Sequence, residues 1–146
     1  MDSSEPIVIS AILLSDHAIR EAGTNKLTLI GIFSVWNAPG FPFRAPAFVI
    51  TPFISNLRSA SGERNLAVRI ENVQSRHVVF SAGGKFTLGG HVTTNAVGDG
   101  SIPVPPGMVL PEAGRYRIYI LIDGEEIGTR DFEAQQAPHP LPGPQG

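Results

Sequence analysis

Apolar, β-branched runs recur along the chain between turn residues, at positions 7–14, 26–36, 47–57, 65–72, 78–81, 91–97, 108–110, 116–122 and 127–134. The breakers between them are Ala22-Gly23-Thr24-Asn25, Ser61-Gly62-Glu63, Gly83-Gly84, Gly89-Gly90 and Gly98-Asp99-Gly100. Short runs at this spacing predict an all-β chain, built as a sandwich or barrel of about 7–9 strands. No internal repeat is present.

Alternation assigns faces to the strands. In Leu66-Ala67-Val68-Arg69-Ile70-Glu71 one side is apolar and the other mostly charged, the pattern of a strand with one face in water. Residues 26–36 place Leu27, Leu29, Phe33 and Val35 on one face and Ile30, Ile32 and Trp36 on the other. An apolar residue on both faces predicts a central strand covered on both sides, with Gly31 marking a bulge or a close neighbour. Pro52 cannot donate to a ladder and predicts an edge or a bulge. Residues 15–21 fit either a turn or two of helix, capped by Ser15 or Asp16 and stopped at Gly23, or a loop.

The C-terminal hairpin sets a problem of register. A two-residue loop at Asp123-Gly124 pairs Ile122 with Glu125, and an unbroken ladder then sets Arg117 against Arg130. Like charges directly opposite are unfavourable. A slip of one residue sets Arg117 against Asp131 and Tyr116 against Phe132, each pair contributing roughly 0.2–1 kcal/mol. The sequence therefore predicts a one-residue bulge, placed at Gly128, where no side chain opposes the bend.

Composition narrows the function classes. Lys and Arg total 11 against 13 Asp and Glu, so there is no basic footprint for nucleic acid and no polybasic membrane patch. With zero Cys there is no disulfide, no thiolate nucleophile and no Cys-ligated metal. The 16 Gly and 13 Pro accompany 42% apolar residues, which indicates turns rather than disorder. The start MDSSEP lacks the positive charge of a signal peptide and the apolar runs are too short to cross a bilayer, so the expected location is cytoplasmic. One domain is expected over residues 1–134, followed by a Pro-rich flexible tail at 135–146. The tail prolines never fall three apart, which removes the P-x-x-P reading.

Candidate chemistry is sparse. Asp16, His17, Arg20 and Glu21 form the densest polar cluster, but adjacent strand residues point to opposite faces and no metal motif surrounds them. His77, His91 and His139 have no zinc spacing, Asp99 is a single carboxylate, and no Ser lies in a nucleophile motif. The glycines of GGKFTLGG match neither phosphate-loop pattern and read as a hairpin or strand edge. Catalytic, cofactor and metal residues are therefore expected to be absent. The loop around Trp36, Phe41 and Phe43 is the candidate partner-binding patch, because loop aromatics supply contact area at low entropic cost. The structural alternative is that these rings fold down and close one end of the core.

Residues 13–42, LLSDHAIREAGTNKLTLIGIFSVWNAPGFP, together with 111–128, PEAGRYRIYILIDGEEIG, resemble an uncharacterised family of small bacterial all-β proteins. The middle of the chain, 74–105, matches poorly, and Asn25 stands where members have Gly; Asn also tolerates left-handed backbone. The resemblance implies a single antiparallel immunoglobulin-like β-sandwich with no assigned activity, cofactor or catalytic residue. The leading expectation is a non-enzymatic protein-binding or scaffold module, with a protein partner or self-association and no nucleic acid, membrane or metal. The alternatives are a small-ligand protein or enzyme using Asp16, His17 and His91 from several loops, and a structural subunit of a homo-oligomer.

Overall fold

A computed structural model describes residues 8–55, 62–88, 98–99 and 101–138. These form β1 (Val8–Arg20), β2 (Leu27–Phe33), β3 (Val35–Ala38), β4 (Phe43–Arg44), β5 (Phe48–Ser55), β6 (Gly62–Asn72), β7 (Val78–Leu88), β8 (Gly98–Asp99), β9 (Ile102–Val104), β10 (Val109–Leu110), β11 (Gly114–Ile122) and β12 (Glu125–Gln136). One sheet runs β2-β1-β5-β8, with β9 also on β5; the other runs β3-β12-β11-β6-β7, and β4 pairs with β10. Every pairing among the described residues is antiparallel except β12 with β3. The all-β sandwich expected from the sequence is the fold observed, with twelve strands where fewer were expected because several are only two to four residues long.

The core lies between the two sheets. Leu14, Phe48 and Ile50 from the first meet Val68, Ile70, Ile118, Ile120 and Phe132 from the second. Strand β11, at the centre of its sheet, alternates strictly, burying Tyr116, Ile118, Ile120 and Ile122. The Tyr116 ring stacks on Phe132 at 5.5 Å and 11° between planes. Its hydroxyl donates to the Glu112 carbonyl at 2.6 Å, tying the strand to the segment that leads into it, as a corner tyrosine does in sandwich folds.

The hairpin has the register that charge pairing demands: Arg117 faces Asp131 and Tyr116 faces Phe132. Asp123 (φ 52°) and Gly124 (φ 83°) form the two-residue loop, both in the left-handed region that such turns require. The bulge is one residue from its expected place. Gly128 pairs with Ile120 and Glu126 with Leu121, so the extra residue is Ile127. Gly128 is needed for another reason: a Cβ built on it would lie 2.5 Å from Cβ of Ile9 in the facing sheet.

Three sequence expectations are corrected. Residues 15–20 are neither helix nor loop; β1 continues through Arg20 because Leu14, Ser15, His17, Ala18, Ile19 and Arg20 find partners on β2. Residues 26–36 are not one central strand. The chain leaves the first sheet at Ser34 and joins the second as β3, so an apolar run read as two-faced is an edge strand followed by a piece of the opposite sheet. Pro52 lies in an interior strand, paired with Ile12. It is accommodated because β9 covers only Phe48–Ile50 and β8 only Phe53 and Ile54, leaving a gap on the far side at Pro52.

Asn25 takes the left-handed conformation (φ 59°) expected of it, and the Gly83-Gly84-Lys85 segment lies within the edge strand β7. Strand β12 runs through Gln136, two residues beyond the expected domain boundary, and the Ala137 amide donates to the Ala38 carbonyl at 2.7 Å. The expected strand at 91–97 and the tail beyond residue 138 lie outside the described residues.

Candidate docking face

Alternation in β1, β2 and β5 sends Leu14, Phe33 and Ile50 into the core and turns the intervening residues outward. The outward set is Leu13, Ser15, His17 and Ile19 on β1, Thr28, Ile30 and Ile32 on β2, and Val49, Thr51 and Phe53 on β5. None is Asp, Glu, Lys or Arg, and His17 is the one titratable residue among them. Cross-strand pairing sets Ile32 beside Ser15, Ile30 beside His17 and Thr28 beside Ile19. Ile19, Ile30 and Ile32 remain 51%, 45% and 59% exposed. Covering each would release on the order of 1 kcal/mol.

Strand β2 is also an end of its sheet, with β1 on one side and no ladder partner on the other among the described residues. Edge strands are ordinarily guarded by charge or proline. Leu27–Phe33, LTLIGIF, carries neither. Its one irregularity is Gly31 (φ 73°), which sits under the Asp16 side chain; a Cβ there would lie 2.9 Å from Asp16 Cγ and closer still to its carboxylate oxygen.

The outer face of the other sheet is built of charge. Arg117 holds Asp131 through two hydrogen bonds of 2.6 and 3.1 Å, and Arg115 holds Glu133 at 3.1 Å. The Arg117 hydrogen bonds and charge keep the Asp131 carboxyl below the usual range and raise the Arg117 guanidinium above its own. Glu71, almost fully buried, accepts from the Tyr119 hydroxyl at 3.1 Å and pairs with Arg69 at 3.3 Å and Arg76 at 3.2 Å. The Arg69 guanidinium lies 4.5 Å from the Tyr119 ring centre. Such a surface is complete in water. The face over β1, β2 and β5 is not.

The residues singled out by sequence fall elsewhere. Trp36, in β3, packs edge-on against Phe48 at 4.8 Å and Phe132 at 5.2 Å and leans on Phe33 at 4.9 Å, so its ring joins the two layers. Phe41 and Phe43 are half-buried and pack against the core as well, the placement anticipated by the structural alternative. Asp16 and His17 are both exposed and, as neighbours on a strand, diverge; His91 lies outside the described residues. No group of three or more His, Cys, Asp and Glu able to hold a metal occurs among the described residues.

Two hollows open on the described surface. One, about 160 Å³, lies at the β7 edge among Leu66, Val68, Ala82, Gly83, Gly84 and Ile102. The other, about 380 Å³, is a shallow depression beside Ser34, Val35, Arg115 and Glu133. Neither is lined by Asp16 or His17. No described helix is long and apolar enough to cross a membrane.

Sequence reasoning missed Ile19, Ile30 and Ile32 as contact residues. The signal was present in the two-faced apolar pattern of 26–36, but pattern alone says that a face is to be covered, not whether the same chain covers it.

Comparison with solved structures returns distant likenesses. An alkylpurine DNA glycosylase from Pseudomonas fluorescens, solved bound to DNA containing an abasic site analog, superposes with a TM-score of 0.47 at 14% identity, over 88% of this chain and 30% of the other. A β-glucosidase from Listeria innocua gives a TM-score of 0.47 at 8% identity, over 90% and 16%. An immunoglobulin-like protein from Pseudomonas aeruginosa gives 0.42 at 8% identity, over 92% and 100%. The chain thus spans less than a third of the glycosylase and of the glucosidase. No curated protein matches. Residues 10–135 match the model of a single family, whose description is a family of unknown function, DUF6941.

Proposed function

The chain belongs to that family of unknown function, and since membership brings no activity with it, we propose a non-enzymatic protein-binding module that engages its partner through the uncharged outer face of β1, β2 and β5. The observation that carries this reading is the exposure of Ile19, Ile30 and Ile32 on a face without Asp, Glu, Lys or Arg, bordered by an unguarded strand edge. Contiguous apolar surface of this kind marks contact sites, and a free edge adds backbone donors and acceptors for strand addition.

Packing of Trp36, Phe41 and Phe43 against the core favours the sheet face over the aromatic loop as the contact. The absence of Cys suits a reducing cytoplasm, where we place the module. Affinity purification of the tagged chain from its own cells tests the proposal. Ile19→Lys and Ile32→Lys should each deplete whatever co-purifies while the melting temperature stays unchanged. Retention of the same partners by both variants would remove the face from consideration.

A further inference from the structure

We propose that the occupant of this face is a second copy of the chain, joined β2 to β2 as an antiparallel pair about a two-fold axis through Ile30. The inference rests on the reading of the face as a protein contact and adds the identity of the partner and the register.

A two-fold contact sets a surface against itself, so every residue must tolerate its own image or that of a neighbour across the axis. Charged surfaces fail this condition because like meets like. Ile30 is the middle residue of β2, Leu27–Phe33, and full overlap of two such strands therefore places Ile30 opposite Ile30 of the second copy. Thr28 then faces Ile32 twice, Leu27 faces Phe33 twice, and Lys26 just outside the strand faces Ser34. No charge opposes a like charge anywhere in this register.

The axis stands perpendicular to the sheet, so the outer faces of both copies lie on the same side. Because Ile30 is already the cross-strand neighbour of His17, a continuous row forms across four strands: His17, Ile30, Ile30 of the second copy, His17 of the second copy. Ile30 and Ile32, 45% and 59% exposed in the single chain, become interior positions of a longer sheet. The outer face of the other sheet offers no equivalent, since its Arg117, Asp131, Arg115 and Glu133 are already engaged with one another.

The zero-Cys sequence makes the register directly measurable. In the full chain, Ile30→Cys should cross-link to itself under mild oxidation, because opposite positions of an antiparallel pair lie within disulfide reach. Thr28→Cys alone and Ile32→Cys alone should not, while an equimolar mixture of those two should. Sedimentation of the wild-type chain should show twice the monomer mass. Ile30→Lys and Ile30→Glu should each sediment as monomers with unchanged melting, and their mixture should recover the dimer. A wild-type chain that stays monomeric throughout the micromolar range, or a dimer that Ile30→Lys leaves intact, overturns the inference. If that monomer still loses its co-purifying protein on Ile32→Lys, the docking face survives and its occupant is a different protein; if nothing depends on Ile32, both readings fall.

Discussion

Gly128 of β12 and Ile9 of β1 stand so close across the sandwich that a Cβ on the glycine would fall 2.5 Å from the isoleucine Cβ and 2.6 Å from its Cγ1. This is where the two layers approach through backbone rather than side chains. Nearby, Arg130 Nη1 donates to the Ile12 carbonyl, so a hydrogen bond from the same strand closes the same side. Gly128→Ala should therefore force the sheets apart and destabilise the chain by about 1–3 kcal/mol, measured by urea denaturation. An unchanged midpoint would mean that β12 can shift outward without cost.

Tyr116 contributes twice, as a buried ring on Phe132 and as the donor to Glu112. Tyr116→Phe keeps the stack and removes the tether, and should cost about 1 kcal/mol. Tyr116→Leu should cost more, because it loses the ring as well. Comparing the two by thermal denaturation separates the hydroxyl from the ring.

Trp36 and Ile32 lie four residues apart and should behave oppositely. Truncating Trp36 to Ala removes contacts with Phe33, Phe48 and Phe132 in both layers and should cost about 3 kcal/mol. Ile32→Lys acts on an exposed residue and should stay within about 0.5 kcal/mol. If Trp36→Ala leaves stability unchanged and instead disrupts association, the aromatic loop regains its claim as the contact.

Acid should weaken the fold through two carboxylates. Hydrogen bonds and charge from Arg117 lower the Asp131 pKa, and a hydrogen bond from the Asn65 amide, followed by Arg64, lowers that of Asp123. A carboxylate with a folded pKa below its unfolded value near about 3.9 contributes stability that is complete above that value and is lost as pH falls through the folded one. The midpoint of urea unfolding should thus hold level above about pH 5 and fall below about pH 4. Asp131→Asn should flatten that limb, and added salt should shrink it less than expected for a fully exposed pair, since the Arg117 contact is bidentate.

Legibility in the sequence tracked whether a signal was local. The β11–β12 register could be read because Arg117, Asp131, Tyr116 and Phe132 are a few residues from one turn and like charges exclude the alternative. The bulge was misplaced by one residue because the requirement for glycine at 128 comes from Ile9, which is distant in the chain. The crossing at Ser34 was hidden because an apolar residue looks the same whether it faces the core of its own sheet or belongs to the next one. Residues 15–20 have sequence compatible with a turn, and their extended form comes from pairing with β2, which local propensity does not see. Of the docking face, the sequence showed the apolar pattern of Ile30 and Ile32 but not that it would remain uncovered.

The unlike chemistry of the two broad surfaces gives the domain a front and a back. When the isoleucine side is pressed into a neighbour, the lattice of arginines and carboxylates over β6, β11 and β12 must look outward. Any larger particle tiled from this unit would then meet the surrounding solution with an ionic skin already neutralised from within, leaving little net field to recruit counterions or stray polyelectrolytes.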